Sequence, residues 1–189
     1  NSMCGIVGYV GKKNAQSILT SGLRRLEYRG YDSAGIATSN KNGDVSLLRA
    51  KGKVAELDQK VAASKNGDCI GIGHTRWATH GVPSELNAHP HKAGKIYLVH
   101  NGIIENYKEL KSELKNHEFV SETDTEVLAA LIDSFYDDNT SLVDAVTQTL
   151  QLVSGTYGIA VLARDKPDEI MAARQGSPRV VRVCETETL

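Results

Sequence analysis

The chain has 189 residues, of which 40% are hydrophobic and 24% are charged, a composition typical of one soluble globular domain or slightly more. Its formal net charge of −1 gives no electrostatic basis for binding nucleic acid or an anionic membrane surface, so neither is an expected partner. No apolar stretch is long enough to span a membrane. The three cysteines, Cys4, Cys69 and Cys184, are far apart and odd in number, which predicts a reduced, cytoplasmic protein without a disulfide framework.

The first part of the chain predicts a strand, a helix and two more strands. A short apolar run at residues 4–10 predicts the first strand, and apolar residues at helical spacing predict a helix over residues 14–28. A polar, turn-rich loop at residues 29–35 leads to strands at residues 36–39 and 45–48. The turn between these two strands contains an Asn-Gly pair, which favours a hairpin.

The middle of the chain is less regular. Residues 53–63 predict a short helix, and residues 69–74 predict a strand whose two glycines indicate close backbone packing. A long irregular section at residues 75–94 follows, and a polar loop of that length in a compact domain is usually functional or disordered. A strand at residues 96–99 and a helix at residues 105–116 come next.

The last part predicts two helices and then strands. Thr123 and Glu126 have the spacing of a capping box, which predicts a helix that begins there and continues to about Tyr136. An amphipathic helix at residues 141–153 and an alternating strand at residues 156–163 follow it. Two further short strands are predicted at residues 170–173 and 180–183. Because helices and strands do not alternate regularly, the pattern favours antiparallel sheets covered by helix layers, an α+β fold.

Cys4 is the first candidate for chemistry. If Met3 is an initiator methionine that is removed, Cys4 carries both a thiol and a free α-amino group. Both groups titrate near neutral pH, so the amine can act as the base for its own nucleophile. The alternative is that Cys4 is a small buried residue of the first strand. Asn1 and Ser2 are interpreted as a tag remnant.

Two neighbouring pairs of residues extend the candidate site. The Asn101 amide and the Gly102 backbone N–H, at the end of an apolar strand, could stabilise an oxyanion, or could form an Asn-Gly turn. Arg76 beside Trp77 could form a bidentate carboxylate site with an aromatic cover. The alternative there is a surface arginine next to a structural tryptophan.

The remaining polar residues indicate no metal or cofactor. Asp124 lies in the predicted first turn of a helix, where the helix dipole alone could explain a carboxylate. The histidines lack the spacing of a zinc site and no cysteine pair accompanies them, so we expect no metal and no cofactor. The histidines in question are His74, His80, His89, His91 and His100.

Several stretches together resemble a known family. Residues 4–8 resemble the start of the class II glutamine amidotransferases, which are N-terminal-nucleophile hydrolases. Four further stretches resemble the glutaminase domains of the glutamine–fructose-6-phosphate aminotransferases: residues 26–35, 73–81, 100–107 and 121–126. The polar loop at residues 29–35 separates these domains from the glutamine phosphoribosylpyrophosphate amidotransferases, which share the opening motif.

The resemblance implies a fold and a reaction. The fold would be a four-layer αββα sandwich of two antiparallel sheets. Cys4 would attack the side-chain amide of L-glutamine to give glutamate and ammonia, with its own α-amino group as base and later as proton donor. Asn101 and the Gly102 N–H would form the oxyanion hole, and Arg29 and Gly30 would help to position the Cys4 end.

The resemblance also implies how the substrate would be held. Arg76, with Thr79 and His80 nearby, would bind the α-carboxylate of glutamine, and Asp124 would bind its α-ammonium group. Trp77 would lie on the loop that closes over the substrate. These assignments agree with the charges of an amino acid, which has one fixed anion and one fixed cation.

The resemblance finally implies a larger protein. Residues 4–178 would be the amidotransferase domain, residues 1–3 a tag remnant and initiator methionine, and residues 179–189 a divergent tail. The full enzyme would add a sugar isomerase domain, absent here, would be a homodimer, and would use the ammonia to make glucosamine 6-phosphate from fructose 6-phosphate. Two rival hypotheses stay open: a non-catalytic glutamine-binding module on the same fold, and an ammonia donor for a different acceptor.

Overall fold

The computed structural model describes residues 4–64, 67–78 and 81–176. These residues form eight β-strands: β1 (Gly5–Val10), β2 (Ser33–Ser39), β3 (Val45–Lys51), β4 (Ile70–Arg76), β5 (His91–Ala93), β6 (Ile96–Ile104), β7 (Gly155–Ala163) and β8 (Met171–Gln175). They also form five α-helices: α1 (Ala15–Leu26), α2 (Val54–Ser64), α3 (Tyr107–Glu113), α4 (Asp124–Phe135) and α5 (Leu142–Leu152). A single 3₁₀ turn, Glu27–Arg29, follows α1.

The strands form two four-stranded antiparallel sheets. The first has the order β1-β4-β2-β3 and the second the order β5-β6-β7-β8. Helices α1 and α2 pack on the first sheet, while α4 packs on the second sheet and contacts α3 and α5. The sheets face each other across an apolar layer, and the predicted four-layer αββα architecture is confirmed.

Strand β6 shows why the sequence folds into these layers. Ile96 and Leu98 belong to the core shared with the helices, whereas Tyr97 and Val99 belong to the core between the sheets. Successive side chains of a strand point to opposite faces, so a continuous apolar run serves a strand that is covered on both sides.

The two glycines of β4 allow α1 to lie directly on the sheet, as predicted. A Cβ atom on Gly71 would lie 2.8 Å from the Leu19 Cδ1 atom of α1 and 2.7 Å from the Ala37 carbonyl oxygen. A Cβ atom on Gly73 would lie 3.4 Å from Leu23 Cδ1. The glycines therefore bring the first helix layer close to β4.

Several predicted boundaries are wrong, and the errors in the strands share one cause. Strand β2 begins at Ser33 rather than at residue 36, and β6 continues to Ile104 rather than ending at residue 99. Strand β5 lies inside the predicted irregular section, and α3 is shorter than the predicted helix. Polar residues continue these strands because neighbouring strands satisfy their backbone groups, which no side-chain pattern records. The predicted strand at residues 180–183 lies outside the described residues, as does the tail.

Helix α4 begins as the capping pattern predicts. Thr123 is the N-cap, and its Oγ1 accepts a hydrogen bond from Glu126 N at 3.2 Å. The Glu126 carboxylate does not return to the Thr123 N–H, because it accepts hydrogen bonds from Val120 N at 3.0 Å and Ser121 N at 2.6 Å. These bonds fix the entry of the chain into α4 and hence the position of Asp124, its first residue.

Among the helices of the described ranges, none combines the length and the apolar character needed to cross a bilayer.

Candidate active site

Cys4 lies immediately before β1, at the edge where β1 meets the end of β4. The pairing of Gly5 with Thr75 brings Cys4 next to this end, and the Cys4 Sγ atom accepts a hydrogen bond from Trp77 N at 3.0 Å. The thiol also lies 3.7 Å from the Trp77 carbonyl oxygen, to which it can donate. Cys4 is partly exposed, so the alternative of a small core residue is wrong.

The surroundings of Cys4 favour the protonated thiol. Burial raises the pKa of the Cys4 thiol, and the Trp77 backbone N–H opposes that rise in part. A thiol whose pKa is raised is a weak nucleophile at neutral pH. A reaction at Cys4 therefore needs a base that accepts its proton.

Asn101 and Gly102 lie within strand β6 and do not form a turn. They pair with Gly158 and Tyr157 of β7, which excludes the Asn-Gly hairpin. The Asn101 Nδ2 atom donates to the Cys4 carbonyl oxygen at 2.8 Å, so the amide lies beside the candidate nucleophile. Gly102 is exposed and has φ +125°, and a Cβ atom there would collide with the Thr156 carbonyl oxygen.

Arg76 ends strand β4 and is buried, so the alternative of a surface arginine is wrong. Its Nη2 atom donates to the Gly81 carbonyl oxygen at 3.2 Å, and its Nη1 atom lies 3.9 Å from Asp32 Oδ1. Burial lowers the pKa of Arg76, whereas the negative charges of Asp32 and Asp124 raise it. The Arg76 guanidinium therefore lies within electrostatic range of Cys4 and of two acidic side chains.

Trp77 and Gly30 form a contact beside Cys4. The Trp77 side chain is 48% exposed, so Trp77 is not a core residue and the alternative of a structural tryptophan is wrong. Gly30 has φ +76°, and a Cβ atom there would lie 3.5 Å from the Trp77 ring. The backbone of Arg29 belongs to the 3₁₀ turn that precedes Gly30, but its side chain lies outside the described part of the chain. Thr79 and His80 also lie outside the described residues.

Asp124 is buried at the start of α4 and faces the second sheet. Its Oδ2 atom accepts a hydrogen bond from the Ile104 backbone N–H at 2.9 Å and lies 4.0 Å from His100 Nδ1. The helix dipole alone does not explain this carboxylate, because it also accepts a hydrogen bond from the backbone of β6. The structure therefore gathers Cys4, Asn101 and Arg76 at one end of the two sheets, with Asp124 within electrostatic range of Arg76.

Two supporting residues were not assigned from the sequence. Asp32 accepts a hydrogen bond from Ala78 N at 2.5 Å and faces Arg76, although it lies in the loop that carried part of the resemblance. His74 lies in β4, and its Nε2 atom is 2.7 Å from Asn101 Oδ1. Both contacts join segments far apart in sequence, so no local pattern could have revealed them.

Three buried histidines pack on one another next to Asn101. The His74 and His89 rings stack with centroids 4.2 Å apart, and His91 meets His89 edge-on at 4.8 Å. Burial lowers the pKa of His74 and of His91 to about 3 and that of His89 well below its usual value. No three His, Cys, Asp or Glu side chains of the described residues are placed to hold a metal ion.

We expect the free energy of unfolding to fall as the pH drops from about 6.5 to 5. The three buried histidines are neutral in the fold, whereas in the unfolded chain they titrate near 6.5. The unfolded state therefore binds more protons below pH 6.5, and each histidine removes up to about 1.4 kcal/mol of stability per pH unit. Urea denaturation at pH 7.5, 6.5, 5.5 and 5.0 measures this slope.

The matched control for this prediction is His91→Gln, which removes one titrating group. Its free energy of unfolding should fall less steeply over the same pH range. Equal slopes in the two proteins would show that His91 does not titrate as a buried neutral histidine.

Solved structures with a similar fold include glutamine amidotransferases. Among solved structures, the chain is similar to the glutamine phosphoribosylpyrophosphate amidotransferase of B. subtilis complexed with ADP and GMP, with a TM-score of 0.69 and 29% identity over 84% of this chain and 35% of that one. It is also similar to a structure described as the allosteric regulatory enzyme of purine biosynthesis, with a TM-score of 0.71, 30% identity and the same coverage.

Comparison of the sequence with protein families and with curated relatives identifies the family of this chain. The family model of the glutamine amidotransferase domain matches residues 74–177, which is more than half of the chain, and the chain belongs to this family. It is 51% identical over 187 residues to the glutamine–fructose-6-phosphate aminotransferase (isomerizing) of Clostridium acetobutylicum and 51% identical over 190 residues to that of Bacteroides thetaiotaomicron. These matches cover 97% and 98% of this chain but only 30% and 31% of the relatives' length.

Proposed function

We propose that this chain hydrolyses the side-chain amide of L-glutamine to L-glutamate and ammonia, with Cys4 Sγ as the nucleophile. The observation that carries the proposal is the hydrogen bond from Asn101 Nδ2 to the Cys4 carbonyl oxygen at 2.8 Å. It places an amide donor beside a partly exposed thiol, at the end of β4 that also carries a buried arginine. The proposed nucleophile, oxyanion donor and carboxylate partner then lie near one another at one end of the two sheets.

The proposed reaction has two stages. The Cys4 thiol transfers its proton to the α-amino group of Cys4, which is free once Met3 is removed, and Sγ bonds to the amide carbon. The resulting tetrahedral intermediate expels ammonia, to which the ammonium group returns the proton, and leaves a thioester. Water then cleaves the C–S bond, giving glutamate and restoring the thiol. The raised pKa of Cys4 explains why this scheme needs the amine as a base.

Asn101 and Gly102 are the proposed oxyanion hole. The side-chain amide of asparagine has two N–H hydrogens, and one of them is directed at the Cys4 carbonyl oxygen. The second hydrogen and the backbone N–H of Gly102 would stabilise the negative oxygen of the tetrahedral intermediate. The exposed backbone of Gly102 leaves room for that oxygen to approach.

The two charged ends of glutamine have complementary partners in this proposal. Arg76, with Thr79 and His80 nearby, would bind the α-carboxylate, and Asp124 would bind the α-ammonium group. The support is electrostatic, since both side chains are buried and Asp124 raises the pKa of Arg76. Trp77 would lie on the loop that covers the substrate.

Arg29 and Gly30 would position the Cys4 end of the site. The support for Gly30 is that it lies close to the Trp77 ring, and the Trp77 backbone N–H donates to the Cys4 thiol.

The relatives suggest what the ammonia would be used for. We propose that the chain is the ammonia-supplying part of an enzyme that makes glucosamine 6-phosphate from fructose 6-phosphate and glutamine. High identity to glutamine–fructose-6-phosphate aminotransferases across nearly the whole chain supports this assignment. The proposed partner is a sugar isomerase domain, and the proposed whole enzyme is cytoplasmic and homodimeric. The chain spans about 30% of those relatives' length.

The proposal is tested by following ammonia and glutamate release from L-glutamine with a chain that begins at Cys4 and with its Arg76→Lys and Asp124→Asn variants. Both variants should raise KM about 10- to 150-fold with little change in kcat. Arg76→Lys loses the bidentate fork of the guanidinium, and Asp124→Asn loses its negative charge, while the substrate charge that each one faces does not change during the reaction. This range corresponds to the loss of one charge-assisted hydrogen bond, about 1.5–3 kcal/mol. Asp124→Asn retains an acceptor for the Ile104 N–H, which protects the fold.

Arg24→Lys, on the exposed face of α1, is the matched control and should leave KM unchanged. No ammonia release, or an unchanged KM in both site variants, would contradict the proposal. Binding of glutamine without its hydrolysis would instead favour a non-catalytic glutamine-binding module.

A further inference from the structure

His74 is in direct contact with the proposed oxyanion donor. Its Nε2 atom lies 2.7 Å from Asn101 Oδ1, and its side chain is fully buried in β4. Asn101 therefore makes two directed contacts through its amide, one to His74 and one to the Cys4 carbonyl oxygen at 2.8 Å.

These contacts determine the hydrogen positions. The Cys4 carbonyl oxygen can only accept a hydrogen bond, so the Asn101 atom that faces it must be the nitrogen, and the amide oxygen must face His74. That oxygen also only accepts, so His74 Nε2 must carry a hydrogen. In a neutral imidazole the other nitrogen, Nδ1, is then bare.

The surroundings of His74 agree with this tautomer. Nδ1 is buried and makes no hydrogen bond of ordinary geometry among the described residues, although the His100 backbone raises the pKa of His74 in part. Burial lowers the pKa of His74 to about 3, which keeps the ring neutral at physiological pH. The ring stacks on His89, whose Nδ1 atom accepts a hydrogen bond from His100 N at 3.4 Å. The plane of the His74 ring is thus fixed by a second buried histidine.

We propose that His74 is a positioning residue that fixes the orientation of the Asn101 amide through its Nε2–H, so that Asn101 Nδ2 faces Cys4, where the substrate amide would react; this inference rests on the proposed function. The two ends of an asparagine amide are similar in size, and rotation by 180° exchanges a donor for an acceptor. An acceptor facing an oxyanion would repel it. His74 disfavours the rotated state, because rotation of the amide would break the buried hydrogen bond between His74 Nε2 and Asn101 Oδ1.

Three substitutions at His74 separate positioning from packing. In His74→Gln the amide nitrogen falls at the same number of bonds from the backbone as Nε2, so a donor to Asn101 is kept. In His74→Asn the amide nitrogen falls at the place of Nδ1, so the donor is lost although a polar amide remains. His74→Leu removes both nitrogens and keeps an apolar side chain.

With glutamine as substrate and a chain that begins at Cys4, we expect kcat to fall about 10- to 100-fold in His74→Asn and His74→Leu. KM should stay within about twofold of its original value, because the amide acts on charge that develops only in the transition state. His74→Gln should recover most of kcat. Equal kcat in His74→Gln and His74→Asn would overturn the inference, because packing alone would then explain the loss.

A double-mutant cycle measures whether the effect of His74 on kcat depends on Asn101, which a purely structural role of His74 does not predict. If His74 acts through Asn101, then His74→Asn combined with Asn101→Ala should be no slower than Asn101→Ala alone, within about twofold. If the fold-decreases in kcat of the two single variants multiply in the double variant, His74 acts independently of Asn101 and the inference is overturned.

The unsubstituted protein gives a test that requires no variant to fold. Nitrogen NMR of histidine-labelled protein should show His74 with a protonated Nε2 and a bare Nδ1. The opposite tautomer would overturn the inference, since Nε2 could not then donate to Asn101. This result is separate from the proposed function, which fails if unsubstituted protein beginning at Cys4 releases no ammonia.

Discussion

A chain that begins at Cys4 is expected to release ammonia from glutamine about 10²–10⁴-fold faster than a form that keeps residues 1–3, which is the range that a positioned base contributes. When Met3 is present, the nitrogen of Cys4 belongs to a peptide bond. Its lone pair is delocalised into the carbonyl group, so it cannot accept a proton near neutral pH. The measurement is a paired assay of ammonia release, with the intact mass of each form verified.

This expectation follows from the surroundings of the thiol. Burial raises the pKa of Cys4, and the Trp77 carbonyl oxygen lies 3.7 Å from Sγ, in position to accept its hydrogen. A thiolate is therefore not present in advance, and the rate depends on an added base. The two forms should unfold at the same urea concentration, because Cys4, to which the extension is attached, lies before β1 and is partly exposed.

Equal rates for the two forms would contradict the role of the amine. Another group would then have to accept the proton of Cys4, and His80 and His100 are the candidates that the sequence offers. His80→Gln and His100→Gln variants of the longer form would identify which of them acts.

Asn101→Ala is expected to lower kcat for glutamine about 10²–10³-fold with a small change in KM. The Asn101 amide lies beside Cys4 and would contact the substrate oxygen most strongly when that oxygen becomes negative. Loss of the amide therefore raises the barrier of the chemical step and leaves ground-state binding nearly intact. Steady-state kinetics on correctly processed protein measures both constants.

Asn106→Ala is the matched control. Asn106 lies just after β6, and its side chain bonds the Leu152 carbonyl oxygen and the Ser154 N–H, away from Cys4. Its loss should reduce stability and leave kcat unchanged. Full turnover in Asn101→Ala would remove Asn101 from the oxyanion hole, and the inference about His74 would fall with it.

The sequence predicted most of the layers because each layer leaves a periodic signal. Strand β6 and helix α4 each carry apolar residues at the spacing of their own secondary structure, and their partners in the core follow from that spacing. Boundaries were harder to predict. The Asn101-Gly102 pair matches a hairpin turn locally, but pairing with β7 keeps it inside a strand.

The candidate site was predicted residue by residue from the resemblance, and its contacts were not. Cys4 and Asn101 are 97 positions apart, and only the packing of the first sheet on the second brings them to a hydrogen bond. The roles proposed for these residues remain predictions, whereas membership of the glutamine amidotransferase domain family is established by comparison.

The sequence by itself determined the class of fold and the residue types available for chemistry, because periodicity and motif are properties of the chain. Only the tertiary structure decided which of those residues are buried, charged or directed at one another. Burial separates Arg76 from an ordinary surface arginine, and a contact across the two sheets joins His74 to Asn101. The physical reason is that desolvation and hydrogen-bond direction depend on neighbours that are distant in sequence, so they arise only when the chain has folded.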